Sequence, residues 1–248
     1  MDAVTAPRPL KGVGRALDVR QKLACLLRVT AREGWSDNLA GHITVVDEET
    51  GNLWVNAWGV WWEETTASDV LLVDYDGNVQ VGPWAATAAF NIHTEIHRRR
   101  ADARVVVHNH PYYATLLGVL GVAPRILHQN FAVFAEELVV VDEYAGTVNN
   151  VEEGVWLADR VGDASGIILR NHGAIVTAPT IEEAAWKCAI FERMCRMTYD
   201  AVTSGFDARD VEVVHLDALK GQLRRACPQT YWDGAVRMLI ASEPEVLD

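Results

Sequence analysis

The sequence predicts an α/β protein whose sheet is mainly antiparallel. Apolar segments with strand character alternate along the 248 residues with segments of helical periodicity, and no repeat or low-complexity tract interrupts them. Two pairs of short strands are separated by turn-rich loops, residues 47–52 and 74–78, which is the pattern of hairpins and therefore of antiparallel pairing. Half of the residues are apolar, which is enough to bury the core of one large domain.

Each predicted element follows from the spacing of its apolar residues. Residues 1–14 hold two prolines and two glycines, so we expect a flexible N-terminal arm before a single domain over 15–248. Apolar residues recur at helical spacing over 15–33, and Gly34 ends that helix. The later predicted strands are 43–46, 53–55, 70–73, 79–81, the segment ending in His108 and His110, 138–141 and 167–170. The later predicted helices are 87–99, 112–120, 151–161 and 180–203, followed by a C-terminal helical extension from about residue 205.

Composition and charge narrow the range of partners. The net charge of −12 disfavours nucleic acid and anionic membranes, because both require clustered Lys or Arg residues. The chain has no run of apolar residues long enough for a membrane span, and its first residues lack the apolar core of a secretory signal. We therefore expect a cytoplasmic protein that acts on a small molecule. The four cysteines are predicted to be buried free thiols.

Two histidine-containing segments carry the strongest functional signal. His108 and His110 follow the apolar run 105–107, and His172 follows a second apolar run, 167–169. Residues two apart on a strand project from the same face, so His108 and His110 can bind one ion together. Three neutral nitrogen ligands with an open fourth position are typical of a catalytic zinc site. The alternative is that these are ordinary strand histidines satisfied by hydrogen bonds.

A second histidine pair, His93 and His97, is spaced for one face of a helix, as in helical zinc sites. The sequence of the pair differs from that of the metalloproteases, which place a glutamate directly after the first histidine. We therefore do not expect this pair to provide the primary ligands. His97 is predicted to face the solvent among neighbouring arginines.

Seven short motifs occur in an order that resembles the class II aldolase/adducin superfamily. They are residues 41–45, 55–59, 66–69, 74–78, 92–93, 108–110 and 169–173, and the resemblance covers about residues 20–205. It implies a three-layer α/β/α fold around a mainly antiparallel sheet, assembled as a homotetramer with active sites between subunits. It also implies that His108, His110 and His172 bind a divalent metal, most often zinc, and that His93 occupies a position where the family commonly has histidine.

The chain departs from the sugar-phosphate aldolases of this family at several positions. Those enzymes have an acid/base glutamate nineteen residues before the first metal histidine, where this chain has Ala89, which cannot transfer a proton. The segments that correspond to their phosphate pocket, 41–44, 56–59 and 85–88, carry few hydroxyl groups. A tyrosine that a neighbouring subunit supplies in those aldolases is replaced near Gln129. These differences resemble the adducin-like branch, which includes decarboxylases of hydroxylated aromatic acids and non-haem iron oxygenases.

The remaining site residues are predicted from the motifs and from their chemistry. Trp58 and Trp62 are candidates to wall a flat apolar pocket for an aromatic ring. His42 and His128 are candidate catalytic groups, because an imidazole can neutralise a carboxylate or return a proton near neutral pH. The predicted site is completed by Gln129 as a catalytic residue and by the substrate-binding residues Asn56, Gly59, His93 and Asn130.

The sequence predicts a divalent-metal-dependent carbon–carbon lyase that decarboxylates, or cleaves by retro-aldol reaction, a non-phosphorylated hydroxy or keto acid, with aromatic acids included. The expected metal is zinc, with manganese and iron(II) as alternatives, because three histidines accept all three ions. In the predicted mechanism the metal takes up the electron pair released as carbon dioxide or an aldehyde departs. An iron oxygenase with the same three histidines is the second hypothesis, and a non-catalytic adducin-like assembly module is the third.

Overall fold

The computed structural model describes residues 16–87, 90–143, 146, 148 and 150–248. The arm predicted over 1–14 and the position of Ala89 lie outside the described residues. The strands are β1 (His42–Val46), β2 (Leu53–Val55), β3 (Leu71–Val73), β4 (Val79–Val81), β5 (Val105–Asn109), β6 (Leu138–Val141), β7 (Gly166–Leu169) and β8 (Gly173–Ala178). The helices are α1 (Val19–Arg32), α2 (Asn91–Arg99), α3 (Tyr112–Leu120), α4 (Val151–Val161), α5 (Ile181–Thr203), α6 (Val213–Ala226) and α7 (Pro228–Ser242). Short 3₁₀ turns cover Ala67–Asp69, Gln129–Phe134 and Pro244–Leu247.

In the described part of the chain, eight strands form one sheet in the order β4-β3-β2-β1-β5-β8-β7-β6. Neighbouring strands are antiparallel except β6 and β7, which run parallel and are connected through α4. Helices pack on both faces of this sheet. The expected three-layer α/β/α architecture with a mainly antiparallel sheet is therefore confirmed.

The two faces of the sheet at β5 pack into two separate apolar clusters. Along β5, Val105 and Val107 join the cluster that contains α1, α3, α5 and α7. Val106 joins the cluster on the opposite face, which contains α2 and α4. Because strand residues alternate between faces, His108 projects to the same face as Val106, toward the side of the sheet that α2 covers.

The same alternation orients the side chains of β1. Ile43 and Val45 are buried against α1 and α5 in the larger cluster. His42 and Thr44, at the alternate positions, therefore project toward α2 on the other face. His42 pairs directly with His108 in the register of β1 and β5, so two histidines lie side by side at one end of the two central strands.

Helix α1 begins later than the predicted span 15–33, and its first turn shows why. The carboxylate of Asp18 accepts hydrogen bonds from the backbone N–H groups of Arg20 and Gln21. The side chain of Gln21 accepts in return from the backbone N–H of Asp18. This capping box satisfies N–H groups that a helix leaves without partners at its start, and it fixes the N-terminus at Val19.

Strand β8 was not predicted from the sequence. Its six residues are all buried, so they lack the alternation of polar and apolar residues that marks a half-exposed strand. β8 pairs with β5 on one side and with β7 on the other. β8 therefore lies in the sheet between β5 and β7, the two strands whose ends carry the predicted metal ligands.

The C-terminal helices pack on the larger cluster. Trp232, Val236 and Leu239 of α7 are buried in it. Past the end of α7, the carboxylates of Glu243 and Glu245 accept hydrogen bonds from the buried guanidinium of Arg28 in α1, at 2.7 and 2.9 Å. Within the described ranges, none of the helices is both long and apolar enough to cross a bilayer.

Candidate metal centre

β5 and the residue after it place the first two predicted ligands. His108 is buried, and its Nδ1 lies 3.0 Å from the backbone carbonyl oxygen of Ala174 in β8. A carbonyl can only accept a hydrogen bond, so Nδ1 of His108 carries the hydrogen and Nε2 is left as the metal-binding nitrogen.

His110 is oriented in the same sense by a carboxylate. Its Nδ1 lies 2.9 Å from Oδ2 of Asp37, which follows α1 in a loop closed by a bridge between Asp37 and Ala40. The carboxylate accepts from Nδ1–H and leaves Nε2 free. A carboxylate behind a histidine in this way fixes the ring orientation of metal-binding histidines.

The third histidine lies in the hairpin loop between β7 and β8. Leu169 pairs with Gly173, so three residues form the loop, and Asn171 adopts a left-handed conformation with φ of 54°. A side chain at Gly173 would place its Cβ 2.6 Å from both the Asn109 carbonyl oxygen and the His110 ring. Glycine at this position therefore allows the hairpin to bring His172 against the end of β5.

His108, His110 and His172, here named the histidine triad, converge on one point. One ring nitrogen from each lies within 4.8 Å of the other two. Burial lowers the pKa of His172 to about 4 and holds the pKa of His108 well below its usual range, so both rings are neutral near pH 7. Neutral imidazole nitrogens are the donor set that a divalent zinc, manganese or iron ion accepts.

His42, a predicted catalytic residue, lies beside the triad. Its ring centroid is 5.2 Å from that of His108, and the residue is almost fully buried. Gly41 precedes it with φ of 85°, and a Cβ there would overlap the side chain of Asn109. The side chain of Asn56 accepts from the backbone N–H of Ile43 at 2.9 Å and donates to the Gly41 carbonyl at 3.4 Å. The amide of Asn56 thus holds the backbone around His42, and its predicted role in binding substrate stays a prediction.

Two predictions about α2 differ from the structure. His97 is 8 % exposed instead of facing the solvent, because its ring packs under β1 and bonds Thr44 and the backbone of Ala103. His93 is fully buried, and both of its ring nitrogens are hydrogen-bonded to other side chains. His93 therefore has no free nitrogen for substrate, and its neighbours determine its role.

The two tryptophans proposed for the pocket separate in the structure. Trp58 is 53 % exposed in the turn after β2, next to Gly59, and its indole is free to contact a ligand. Trp62 is 1 % exposed and belongs to the larger apolar cluster. Its assignment to the pocket wall is corrected, since its indole packs in the core of the domain.

The segment His128–Gln129–Asn130 lies at the start of a 3₁₀ turn. Nδ1 of His128 accepts a hydrogen bond from the backbone N–H of Asn130 at 3.2 Å, and His128 and Gln129 are exposed. Among the described residues, no hydrogen bond or ring contact joins this segment to the triad of the same chain. No contact within the described part of one chain therefore supports its predicted role, which stays a prediction.

Sequence reasoning missed two side chains that hold the site, Asp37 and Thr44. Asp37 lies in a loop with no periodic pattern, and nothing in the sequence ties it to His110. Thr44 could have been found, because it is two residues from His42 on one strand while His93 and His97 are four apart on one helix.

A cavity of ≈ 440 Å³ opens at the opposite ends of the same strands. It is lined by the C-terminal end of β1, the N-terminal end of β5 and charged side chains that include Lys22, Glu48 and Arg104. No histidine is among the residues that line it, so this cavity is separate from the candidate metal site.

Comparison with known proteins identifies relatives along most of the chain. The family described as the class II aldolase and adducin N-terminal domain matches residues 21–199. The 4-hydroxy-3-prenylphenylpyruvate oxygenase/4-hydroxy-3-prenylbenzoate synthase of Streptomyces roseochromogenus subsp. oscitans is 33 % identical over 186 residues, 73 % of this chain and 67 % of that protein. The 3,4-dihydroxyphthalate decarboxylase of Arthrobacter keyseri is 28 % identical over 235 residues, 86 % of this chain and 90 % of that protein.

Solved structures share the fold. An aldolase II superfamily protein from Pseudomonas syringae superimposes with a TM-score of 0.82 at 26 % identity, covering 93 % of this chain and 95 % of the other. The L-fuculose 1-phosphate aldolase from Glaciozyma antarctica PI12 gives a TM-score of 0.80 at 24 % identity, covering 93 % and 92 %. Among the sequence relatives, the decarboxylases and an adducin-related protein agree with the adducin-like, decarboxylase-like branch expected from the motifs. The chain belongs to the class II aldolase and adducin family.

Proposed function

We propose that this chain is a divalent-metal-dependent carbon–carbon lyase acting on a non-phosphorylated hydroxy or keto acid, with aromatic acids as the first class to test. Decarboxylation is the leading reaction and retro-aldol cleavage the second. The observation that carries the proposal is the convergence of three histidine nitrogens, two of them oriented by hydrogen bonds from the opposite ring nitrogen. The match to the class II aldolase family and the decarboxylase relatives support a lyase-type enzyme.

The histidine triad would hold the metal. Nε2 of His108 and Nε2 of His110 are available because Ala174 and Asp37 accept from the opposite nitrogens. Bound there, a divalent ion supplies Lewis-acid polarisation of a substrate oxygen. Zinc is the first expectation, with manganese and iron(II) as alternatives, since nitrogen ligands accept all three.

The surrounding residues suggest how a substrate would be held. The exposed indole of Trp58 beside Gly59 offers an apolar face for a ring. His42 is the candidate group for hydrogen bonding or proton transfer, a role that Ala89 cannot fill. In the homotetramer that we propose, His128, Gln129 and Asn130 would reach the site of a neighbouring copy, since they are at least partly exposed and their described hydrogen bond and ring contact are local.

An iron oxygenase is the second candidate function. One relative is named as an oxygenase of a prenylated hydroxyphenylpyruvate, and three histidines also accept iron(II). The two candidates predict different metals and different requirements for oxygen. Both require a bound metal, which a non-catalytic assembly module would not.

The test is elemental analysis of protein purified under anaerobic conditions, followed by assays with 3,4-dihydroxyphthalate and with hydroxybenzoates. Zinc or manganese at one equivalent, with release of carbon dioxide in the absence of oxygen, supports the lyase. Iron with turnover that consumes oxygen supports the oxygenase. A protein that holds no divalent metal after purification and reconstitution contradicts both.

A further inference from the structure

A continuous chain of hydrogen bonds runs from His42 to the backbone of Ala103. Nδ1 of His42 lies 2.6 Å from Nε2 of His93, and Nδ1 of His93 lies 2.6 Å from Oγ1 of Thr44. The same Oγ1 lies 2.7 Å from Nε2 of His97, and Nδ1 of His97 lies 2.7 Å from the carbonyl oxygen of Ala103. These four side chains are named here the histidine–threonine chain.

The histidine–threonine chain forms because the spacing of two residues along β1 matches the spacing of two residues along α2. His42 and Thr44 are two residues apart on β1, which separates them by about 6.6 Å along the strand. His93 and His97 are four residues apart on α2, which separates them by about 6 Å along the helix axis. A strand pair and a helix pair of nearly equal spacing face each other, so each side chain reaches the next.

The direction of every hydrogen in the chain is set by its last acceptor. The Ala103 carbonyl can only accept, so Nδ1 of His97 carries the hydrogen and Nε2 of a neutral His97 must accept. Thr44 therefore donates its only hydroxyl hydrogen to His97 and can only accept from Nδ1 of His93. Nε2 of His93 is then the acceptor, and Nδ1–H of His42 is the donor.

The surroundings keep the chain in this single arrangement. The four side chains are between 0 % and 8 % exposed, so water does not compete for their hydrogen bonds. Burial lowers the pKa of His97 to about 4, which leaves its ring neutral at neutral pH. A neutral His97 has one ring hydrogen, which Nδ1 carries. The positions of the hydrogens on Thr44, His93 and His42 then follow one after another.

The consequence lies at the other end, on His42. Because the ring hydrogen of His42 is on Nδ1, its Nε2 carries a lone pair. No described residue donates a hydrogen bond to this nitrogen. The ring lies beside the triad, with centroids 5.2 Å apart between His42 and His108. A lone pair accepts a hydrogen bond from a hydroxyl and offers nothing to a carboxylate, so this geometry disfavours the carboxylate-neutralising role predicted for His42.

We propose that Thr44, His93 and His97 are positioning residues that hold His42 in its Nδ1–H tautomer, so that Nε2 accepts a hydrogen bond from a hydroxyl group of the substrate. The substrate class is then a hydroxy acid, with an alcohol or phenol hydroxyl near the oxygen that approaches the triad. The assignment of a substrate class rests on the proposed lyase function. The assignment of the His42 tautomer does not, because it depends only on hydrogen bonds within the protein.

The tautomer can be read directly by solid-state NMR of full-length protein labelled with ¹³C,¹⁵N-histidine and reconstituted with Zn²⁺, which is diamagnetic. The His42 signals are assigned by their loss in His42→Asn. We expect Nδ1 of His42 to be protonated and Nε2 bare. In Thr44→Val, which can neither donate nor accept, the hydrogen should redistribute toward Nε2, and Thr44→Ser should restore the wild-type spectrum. Protonation of Nε2 in the wild type, or a His42 spectrum unchanged in Thr44→Val, overturns the proposal, and the wild-type result decides alone if Thr44→Val does not fold.

The hydroxyl can be tested by calorimetric titration of 2-hydroxybenzoate and 2-methoxybenzoate, which differ in the hydrogen that His42 would accept. We expect wild-type protein to prefer the hydroxyl compound roughly 2- to 10-fold, the effect of one hydrogen bond. The preference should disappear in His42→Phe, and because both compounds keep the carboxylate, the difference between the two proteins isolates the contact to His42. A preference that survives in His42→Phe, or no binding of either compound, contradicts the assignment of this substrate class.

The two proposals fail separately. A bare Nε2 on His42 in a protein without decarboxylation or aldol activity would leave the positioning chain intact and contradict the lyase. A protonated Nε2 in a protein with that activity would contradict only the positioning chain.

Discussion

The histidine triad and the histidine–threonine chain lie side by side, and two histidines of the chain, His93 and His97, are held in the opposite way to those of the triad. In the triad, His108 and His110 each bond one nitrogen to a fixed acceptor and leave the other free. In the chain, His93 and His97 bond through both nitrogens and are buried. On our proposals, a histidine with one open nitrogen is available to a metal or a substrate, whereas a histidine bonded through both nitrogens can only position its neighbours.

The sharpest contrast should come from matched substitutions of one histidine in each group. In His172→Gln, which removes one of three metal ligands, we expect loss of stoichiometric metal and a fall in kcat/KM of about 10³-fold, because Lewis-acid assistance contributes several kcal/mol. In His97→Gln we expect the metal content of the wild type. Elemental analysis of both purified variants checks this. Equal loss of metal from both would show that the two groups do not differ as described.

The carboxylate behind His110 should matter for metal affinity. Asp37→Ala removes the acceptor that orients the ring, and we expect zinc affinity to fall about 10- to 100-fold, as is usual for such supporting residues. Competition with a chromophoric chelator measures it. Asp76→Ala, which makes the same change of charge in the turn between β3 and β4, should leave the affinity unchanged. Equal effects in the two variants would mean that net charge, rather than ring orientation, is responsible.

The hairpin that carries His172 should require glycine at its close approach to β5. In Gly173→Ala the new methyl would meet the Asn109 carbonyl and the His110 ring at 2.6 Å, so we expect a loss of about 1–3 kcal/mol in unfolding free energy. Gly234→Ala is the control, because it lies within α7 and its Cβ would meet nothing nearer than 4.0 Å. That variant should gain up to about 1 kcal/mol from helix propensity. Urea unfolding compares them, and a neutral Gly173→Ala would contradict the close packing.

The buried histidines should make the protein less stable in mild acid. His97 is protonated from pH 6.5 downward in the unfolded chain but only below about 4 when folded, so the unfolded state binds more protons between these values. Stability therefore falls as the pH is lowered from about 6.5 to 4. Each such histidine contributes up to about 1.4 kcal/mol per pH unit.

Substitution isolates the contribution of His97. In His97→Gln the slope of unfolding free energy against pH in this range should decrease by about one proton. Glu192, whose pKa is raised by burial to about 7, acts in the opposite direction but is the same in both proteins. Urea titrations at a series of pH values provide the slopes. An unchanged slope would contradict the burial of a neutral His97.

The sequence predicted most of the fold because most elements carry their own signal. The hairpin strands, α3, β6 and α4 were found at or close to their observed limits, since their turns and apolar spacing are local. β8 was missed because small residues and a threonine flank its large apolar residues, Ile175 and Val176, which leaves a weaker apolar run than in β5 or β7. The site followed the same rule: the triad was visible as two motifs, whereas Asp37 reaches His110 only through the folding of a loop.

The burial of His97 and Trp62 could not be read from their neighbours in sequence. His97 precedes three arginines, which suggests an exposed surface, yet the helix turns its ring under β1. Trp62 stands in a tryptophan-rich stretch, where Trp58 is exposed and Trp62 is not. In both cases tertiary packing, rather than local composition, decides which side of a segment meets the solvent.

Anomalous diffraction from crystals of the metal-loaded protein, recorded on both sides of the absorption edge of the metal, tests the central distinction most directly. We predict one strong peak about 2.0–2.1 Å from Nε2 of His108, Nε2 of His110 and one ring nitrogen of His172, the distance expected for zinc and nitrogen. We predict no peak between His42 and His93. A peak between His42 and His93, or no peak at the triad in protein that contains stoichiometric metal, would contradict the separation of ligand and positioning histidines.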